Sequence, residues 1–182
     1  MRTHLNIKDA FLFGAGNKKL GSIVMPNGTE EQQKAAGAAA KENFLKAIPK
    51  LEQLIKQVQK ASKRGWLRGL DGRCMFMRKG EDGRIQANKA LNVLCQGAGA
   101  VIMTRARIWV WDEIEKRGWI DSGKAIKVLD YHDEETWECD ADIAEQVADL
   151  LVQSIVEAGL HFNLKIPLDA EAQIGQTWAE IH

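Results

Sequence analysis

The sequence is poor in several residues that would settle its class at once. Only three cysteines occur among its 182 residues, at Cys74, Cys95 and Cys139, far apart and without a CxxC. That excludes a disulfide framework and a cysteine zinc site, and it fits a reducing compartment. No apolar run reaches membrane-spanning length, and the N-terminus lacks the hydrophobic core of a signal peptide. The expectation is a protein of the cytoplasm, with no membrane partner. There is no internal repeat or low-complexity segment. There is also no net charge, because 25 Lys and Arg cancel 25 Asp and Glu. This excludes the simplest nucleic-acid binder, which is basic throughout.

What is present can build a core. Hydrophobic residues make up 45 %, including six Trp and five Phe, enough to exclude a disordered tail. The neutral total conceals a gradient. Residues 1–125 hold 23 basic and 12 acidic side chains, a charge of +11, whereas residues 126–182 hold 2 and 13, a charge of −11. The pattern suggests a polyanion surface beside a carboxylate-rich or metal-binding region; a dipolar surface without a ligand is the plainer alternative.

Residues 4–15 read as a short helical segment leading into Gly14-Ala-Gly16. Thr29 and Gln32 form a capping box, the hydroxyl accepting the Gln32 amide and the Gln32 side chain reaching back. The helix it opens runs to about Ala47, and Pro49 starts another with Leu51, Leu54, Ile55 and Val58 on one stripe. Asp71-Gly72 and Asp82-Gly83 signal turns, with a short strand at 74–77. A long helix is expected from Ala87 to Arg117, with Gly97 and Gly99 in its middle. Strands are predicted over 125–131 and 134–139 with His132-Asp133 between them. Asp140 is expected to cap a helix that Gly159 ends. Residues 162–174 look extended. Helices with a small, mainly antiparallel sheet give an α+β class.

Three constellations bear on chemistry. Gly16 to Ser22 has the glycine spacing of a phosphate loop, but no Lys stands between Gly21 and Ser22 and no buried strand precedes it, so a Walker motif is rejected. His132-Asp133-Glu134-Glu135 crowds three carboxylates at a turn. Such charges repel unless a cation joins them, and oxygen ligands suit Mg²⁺; an exposed, salt-screened acidic turn is the other reading. Asn88, Asn92 and Gln96 stand at i, i+4 and i+8 on the long helix. An amide row can meet minor-groove acceptors common to all base pairs, and Arg68, Arg73, Arg78 and Lys89 nearby in sequence suit phosphates; plain helix-surface polarity is the alternative.

Together and in order, these pieces resemble the C-terminal part of family A DNA polymerases, the polymerase I-like group, most closely its short-tailed-phage branch. The matching strings are Phe11-Leu-Phe-Gly-Ala-Gly16, Gly69-Leu-Asp-Gly-Arg73, Ala90-Leu-Asn-Val-Leu-Cys-Gln-Gly-Ala-Gly-Ala100, His132-Asp-Glu134, and Pro167-Leu-Asp-Ala-Glu-Ala-Gln-Ile-Gly175 with Trp178 and His182. The resemblance implies a palm-type sheet whose hairpin carries His-Asp-Glu. It implies remnant fingers helices over 1–64 and the C-terminal part of the palm over 65–182. It assigns Asp133 and Glu134 to a two-Mg²⁺ site for nucleotidyl transfer, with His132 by the primer terminus. Gln96 and Asn92 match minor-groove contacts to primer–template DNA, and Arg73 and its loop match a segment along the primer backbone. Arg68 and Lys89 join that DNA-facing set, and His182 matches a residue ending near the active site.

Departures limit what the resemblance implies. The family's first palm motif, with its other metal-binding Asp, lies upstream of the fingers, as do the thumb and exonuclease. The fingers positions that hold the dNTP fall on Met1, Leu5 and Asp9, with Arg2 and Lys8 out of register. Asn88 replaces a basic or His residue, Glu135 replaces an apolar one, and 79–86 reads as a loop insertion. The expectation is a polymerase portion completed by a second polypeptide carrying the thumb, the first motif and the dNTP-binding residues. The alternatives are a non-catalytic DNA-binding remnant and an inactive truncated fragment.

Overall fold

A computed structural model describes residues 7–12 and 14–181, with side chains from Ala10 onward. Met1, Arg2, Leu5 and His182, and the side chains of Lys8 and Asp9, lie outside the described set. The chain forms two compact units, Met1–Gly97 and Ala98–His182. The class is α+β, with two two-stranded antiparallel sheets among the described residues.

The first unit holds α1 (Ile7–Leu12), α2 (Asn17–Val24), α3 (Glu30–Ala47), α4 (Pro49–Ser62), β1 (Trp66–Arg68) and β2 (Cys74–Phe76). The capping box is formed: Thr29 Oγ1 accepts the Gln32 amide at 3.3 Å and Gln32 Oε1 accepts the Thr29 amide at 2.9 Å. Each such cap contributes about 1 kcal/mol. Helix α2 occupies the stretch whose glycine spacing imitates a phosphate loop. The spacing serves packing instead. A Cβ on Gly21 would stand 1.6 Å from the Gln33 carbonyl oxygen, and one on Gly37 would stand 1.9 Å from that of Asn17. The two glycines let α2 and α3 touch backbone to backbone. Lys18 of α2 and Lys34 bracket Glu30 at 2.9 and 3.0 Å and hold its carboxyl down to about 2. Ala10, Phe11 and Leu20 form one core, with Phe44 edge-on to Phe11. Leu67, Met77 and Ala90 form another, backed by Val58, Ile85, Val93 and Leu94.

Helix α5 (Ala90–Lys116), entered through a 3₁₀ turn at Ala87–Lys89, carries the chain from the first unit into the second. The second unit adds β3 (Ala125–Tyr131), β4 (Glu134–Cys139), α6 (Ala144–His161) and a 3₁₀ turn at Trp178–Glu180. Its core is Val110, Ile114, Ala125, Ile143, Val147 and Leu150, with Trp109, Trp119 and Trp137 against it. Lys124 pairs with Asp142 at 3.0 Å, which raises the lysine and lowers the carboxyl from their ordinary values.

Two expected helix boundaries are corrected. Asp140 does not cap α6: the helix begins at Ala144 after Ile143, and Asp140 instead accepts the Ile143 amide through its carbonyl at 3.1 Å. Three residues of turn intervene because Ile143 must enter the core. Nor does Gly159 end α6. It is buried inside the helix, where a Cβ would stand 3.1 Å from Leu168 Cγ. The stop lies at Asn163, with φ of 51°, where Leu164 N–H donates to the Gly159 carbonyl and Asn163 N–H to that of Leu160. Asn tolerates the left-handed backbone that this Schellman closure requires.

Candidate functional site

In the first unit, the DNA-facing residues expected from sequence occupy β1, the 69–73 turn and the start of α5. Arg68 ends β1 and is exposed, its guanidinium lying over Gly72. Gly72 has φ of 86°, as the Asp-Gly turn requires. Arg73 is exposed but engaged, its Nε 2.5 Å from Asp71 Oδ2 and its amide bonded to Asp71 Oδ1. Burial opposes the Asp71 charge, yet the hydrogen bonds from Arg73 prevail and leave its carboxyl below the ordinary value. Gly97 abuts the same hairpin, because a Cβ there would meet Met75 Sδ at 2.4 Å.

Asn92 and Gln96 are one turn apart on α5, while Asn88 and Lys89 lie exposed in the preceding 3₁₀ turn. Gln96 is exposed. Asn92 is half-buried, and among the described residues its Oδ1 is enclosed without a hydrogen-bond partner. A buried amide left so is a poor choice for stability alone.

In the second unit, β3 and β4 pair from Ala125 with Cys139 to Tyr131 with Glu134, interrupted by a bulge at Val128. The connection is two residues, His132 and Asp133. His132 has φ of 53°, one of two non-glycine residues among those described with positive φ. His132, Asp133 and Glu134 are all exposed at this end of the hairpin. The Tyr131 ring stacks tilted on His132 at 4.4 Å.

The neighbouring carboxylates are committed elsewhere. Glu135, its side chain 5 % exposed, pairs with Lys127 at 3.0 Å and accepts the Trp137 indole N–H at 2.9 Å. Asp130 lies 2.9 Å from Arg107 Nε and 3.0 Å from Lys127 Nζ. Among the described residues no group of three or more His, Cys, Asp or Glu converges so as to hold a metal ion. Asp133 and Glu134 are two carboxylates on adjacent residues and do not make a metal centre by themselves.

Sequence reading missed Arg107 and Lys127. Their partners lie on the hairpin, so helical spacing along α5 carries no mark of the first, and nothing in the β3 sequence marks which carboxylates Lys127 meets. Beside the hairpin a cleft of about 980 Å³ is lined by Asp133, by β4, by α6 and by segment 170–176. No helix among the described residues is long and apolar enough to cross a membrane.

This α+β arrangement is shared with known proteins. The sequence profile of DNA polymerase family A matches residues 7–180. The chain is 35 % identical over 173 residues to a DNA-directed DNA polymerase of Escherichia phage Phieco32, covering 95 % of this chain and 26 % of that one. It is 31 % identical over 192 residues to the DNA-directed DNA polymerase of Escherichia phage T7, covering 94 % and 25 %. In fold it matches the POL domain of Pol1 from M. smegmatis, solved in complex with DNA primer-template and dNTP, with a TM-score of 0.66, 20 % identity, and coverage of 84 % of this chain and 26 % of that one. The chain belongs to DNA polymerase family A. It spans about a quarter of the length of these relatives.

Proposed function

We propose that this chain is a portion of a DNA-directed DNA polymerase, acting on primer–template DNA and dNTPs in the cytoplasm of a host cell. The observation that carries this is the family match over residues 7–180 together with a hairpin presenting Asp133 and Glu134 at its exposed end. In this reading residues 1–64 are fingers helices and 65–182 belong to the palm. Arg68, Arg73 and Lys89 meet phosphates, Asn92 and Gln96 meet the minor groove, and His132 and His182 lie by the reacting end of the primer. The partnerless Oδ1 of Asn92 supports that assignment, since a base edge or a bridging water can satisfy it.

Asp133 and Glu134 supply part of a Mg²⁺ site, and residues beyond these 182 supply the rest, together with the dNTP-binding groups. A second polypeptide carrying the thumb and first palm motif is the source we favour. Two features support an incomplete surface: each sheet of the described residues has only two strands, and the hairpin leaves Ile126, Val128 and Tyr131 exposed. The absence of a converged carboxylate cluster among the described residues also suits a second reading, a non-catalytic DNA-binding remnant.

Primer extension with Mg²⁺ and dNTPs separates the two, using this chain, the remaining polymerase segments, and their mixture. Only the mixture is expected to extend, and Asp133→Ala is expected to abolish extension while leaving primer–template affinity within about twofold, because one side chain that touches no phosphate contributes little to binding. Full extension by Asp133→Ala refutes the metal assignment. DNA binding without extension in any mixture favours the remnant.

A further inference from the structure

One contact at the hairpin is not explained by packing. Arg107 is on α5, yet its Nη2 donates to the carbonyl oxygens of both His132 and Glu134, each at 3.2 Å. These two carbonyls flank Asp133. The same guanidinium is beside Asp130, with Nε 2.9 Å from Oδ1 but without hydrogen-bond alignment, so charge alone acts there. The side chain is only 22 % exposed, and a long cation so enclosed gives up hydration and rotamer freedom.

What it grips is a tight turn with one residue in the left-handed region. His132 holds φ at 53°, where few non-glycine residues sit, though His, Asn and Asp enter it more readily than most. Such a backbone persists where its surroundings fix it. Asp130 does not depend on Arg107, because Lys127 Nζ is 3.0 Å from the same oxygen. The carbonyl bonds are therefore the distinctive work of this side chain.

We propose that Arg107 is the positioning residue of the hairpin end: by holding the carbonyls on either side of Asp133 it fixes the direction in which the Asp133 and Glu134 carboxylates project. Its effect on turnover rests on the polymerase reading, whereas its effect on the turn does not.

Two substitutions separate grip from charge. Arg107→Met keeps the apolar stem and loses every donor. Arg107→Lys keeps the charge beside Asp130, but its ammonium stops about one C–N bond length short of Nη2. Hydrogen exchange of the peptide spanning 130–136, measured on the full chain, is expected to quicken about tenfold or more in both variants, while protection of α6 is unchanged. Wild-type exchange rates in both variants overturn the proposal. So does restoration of the wild-type rate by Lys, which would reduce Arg107 to a charge. If neither variant folds, side-chain NMR of the unsubstituted chain decides: restricted, separately resolved Arg107 Nη2 protons support the grip, and a freely rotating guanidinium overturns it. In a primer-extending mixture both variants are expected to lower kcat with KM for dNTP within about twofold. A mixture that fails to extend even with Arg107 present counts against the polymerase reading, and the exchange result still judges the grip.

Discussion

Two glycine-to-alanine substitutions, Gly37→Ala and Gly99→Ala, are expected to move stability in opposite directions. Both sit inside helices, and each gains about 1 kcal/mol from the better helix propensity of alanine. At Gly99 nothing is within 4 Å of the added methyl group, so the gain stands and α5 is stabilised by about that amount. At Gly37 the methyl group would stand 1.9 Å from the Asn17 carbonyl oxygen and 2.7 Å from the Gly21 amide nitrogen. Ordinary van der Waals contact begins near 3.4 Å, so α2 and α3 must part by more than an ångström. Both obstructing atoms are backbone and cannot rotate aside. Overpacking of this kind costs about 3 kcal/mol at the upper end of its usual range, leaving a net loss of about 2 kcal/mol. Peptide-resolved hydrogen exchange under native conditions reports the two sites separately. Exchange in α2 and α3 should quicken in Gly37→Ala, and exchange in α5 should slow in Gly99→Ala. Unchanged or greater protection of α2 and α3 in Gly37→Ala would refute the close-approach reasoning.

Further expectations follow from the charged groups. Lys89→Ala should flatten the dependence of log affinity for primer–template on log salt by about 0.9, the value of one lost phosphate contact; an unchanged slope removes Lys89 from the DNA face. Arg73→Ala should flatten it less, because Asp71 already neutralises that guanidinium, and Asp71→Asn should steepen it, both read by anisotropy titrations across salt. The Glu30 carboxyl, held down by Lys18 and Lys34, should titrate near 2 by NMR, and Lys18→Met should raise its midpoint. Since the folded value lies below the ordinary 4.5, the contribution of this cluster is full above about pH 4.5 and is lost as pH falls through 2. An ordinary midpoint for Glu30 would remove the cluster from the α2–α3 contact.

Local patterns were legible where the physics is local. The Thr29–Gln32 box, the Pro49 restart, the long helix and both strands of the hairpin follow from hydrogen-bonding chemistry and hydrophobic period within a few residues. Helix α2 was missed because two of its determinants are glycines, poor helix formers that earn their place only against another helix. The end of α6 was misread for a related reason: Gly159 looks like a stop in sequence, but it is buried against Leu168, and Asn163 performs the turn. The ordered strings along the chain, by their resemblance to family A polymerases, were enough to indicate the family.

The carboxylates show the division most clearly. In sequence, Asp130, Asp133, Glu134 and Glu135 form one acidic cluster. In three dimensions Asp130 turns to Arg107 and Lys127, and Glu135 to Lys127 and Trp137, while Asp133 and Glu134 stay exposed at the hairpin end. Sequence alone determined which residues could carry charge there and where the connection falls. Only the tertiary structure decided which partners Asp130 and Glu135 take, because ion pairing depends on separations of a few ångströms between residues as far apart in the chain as Arg107 and Asp130.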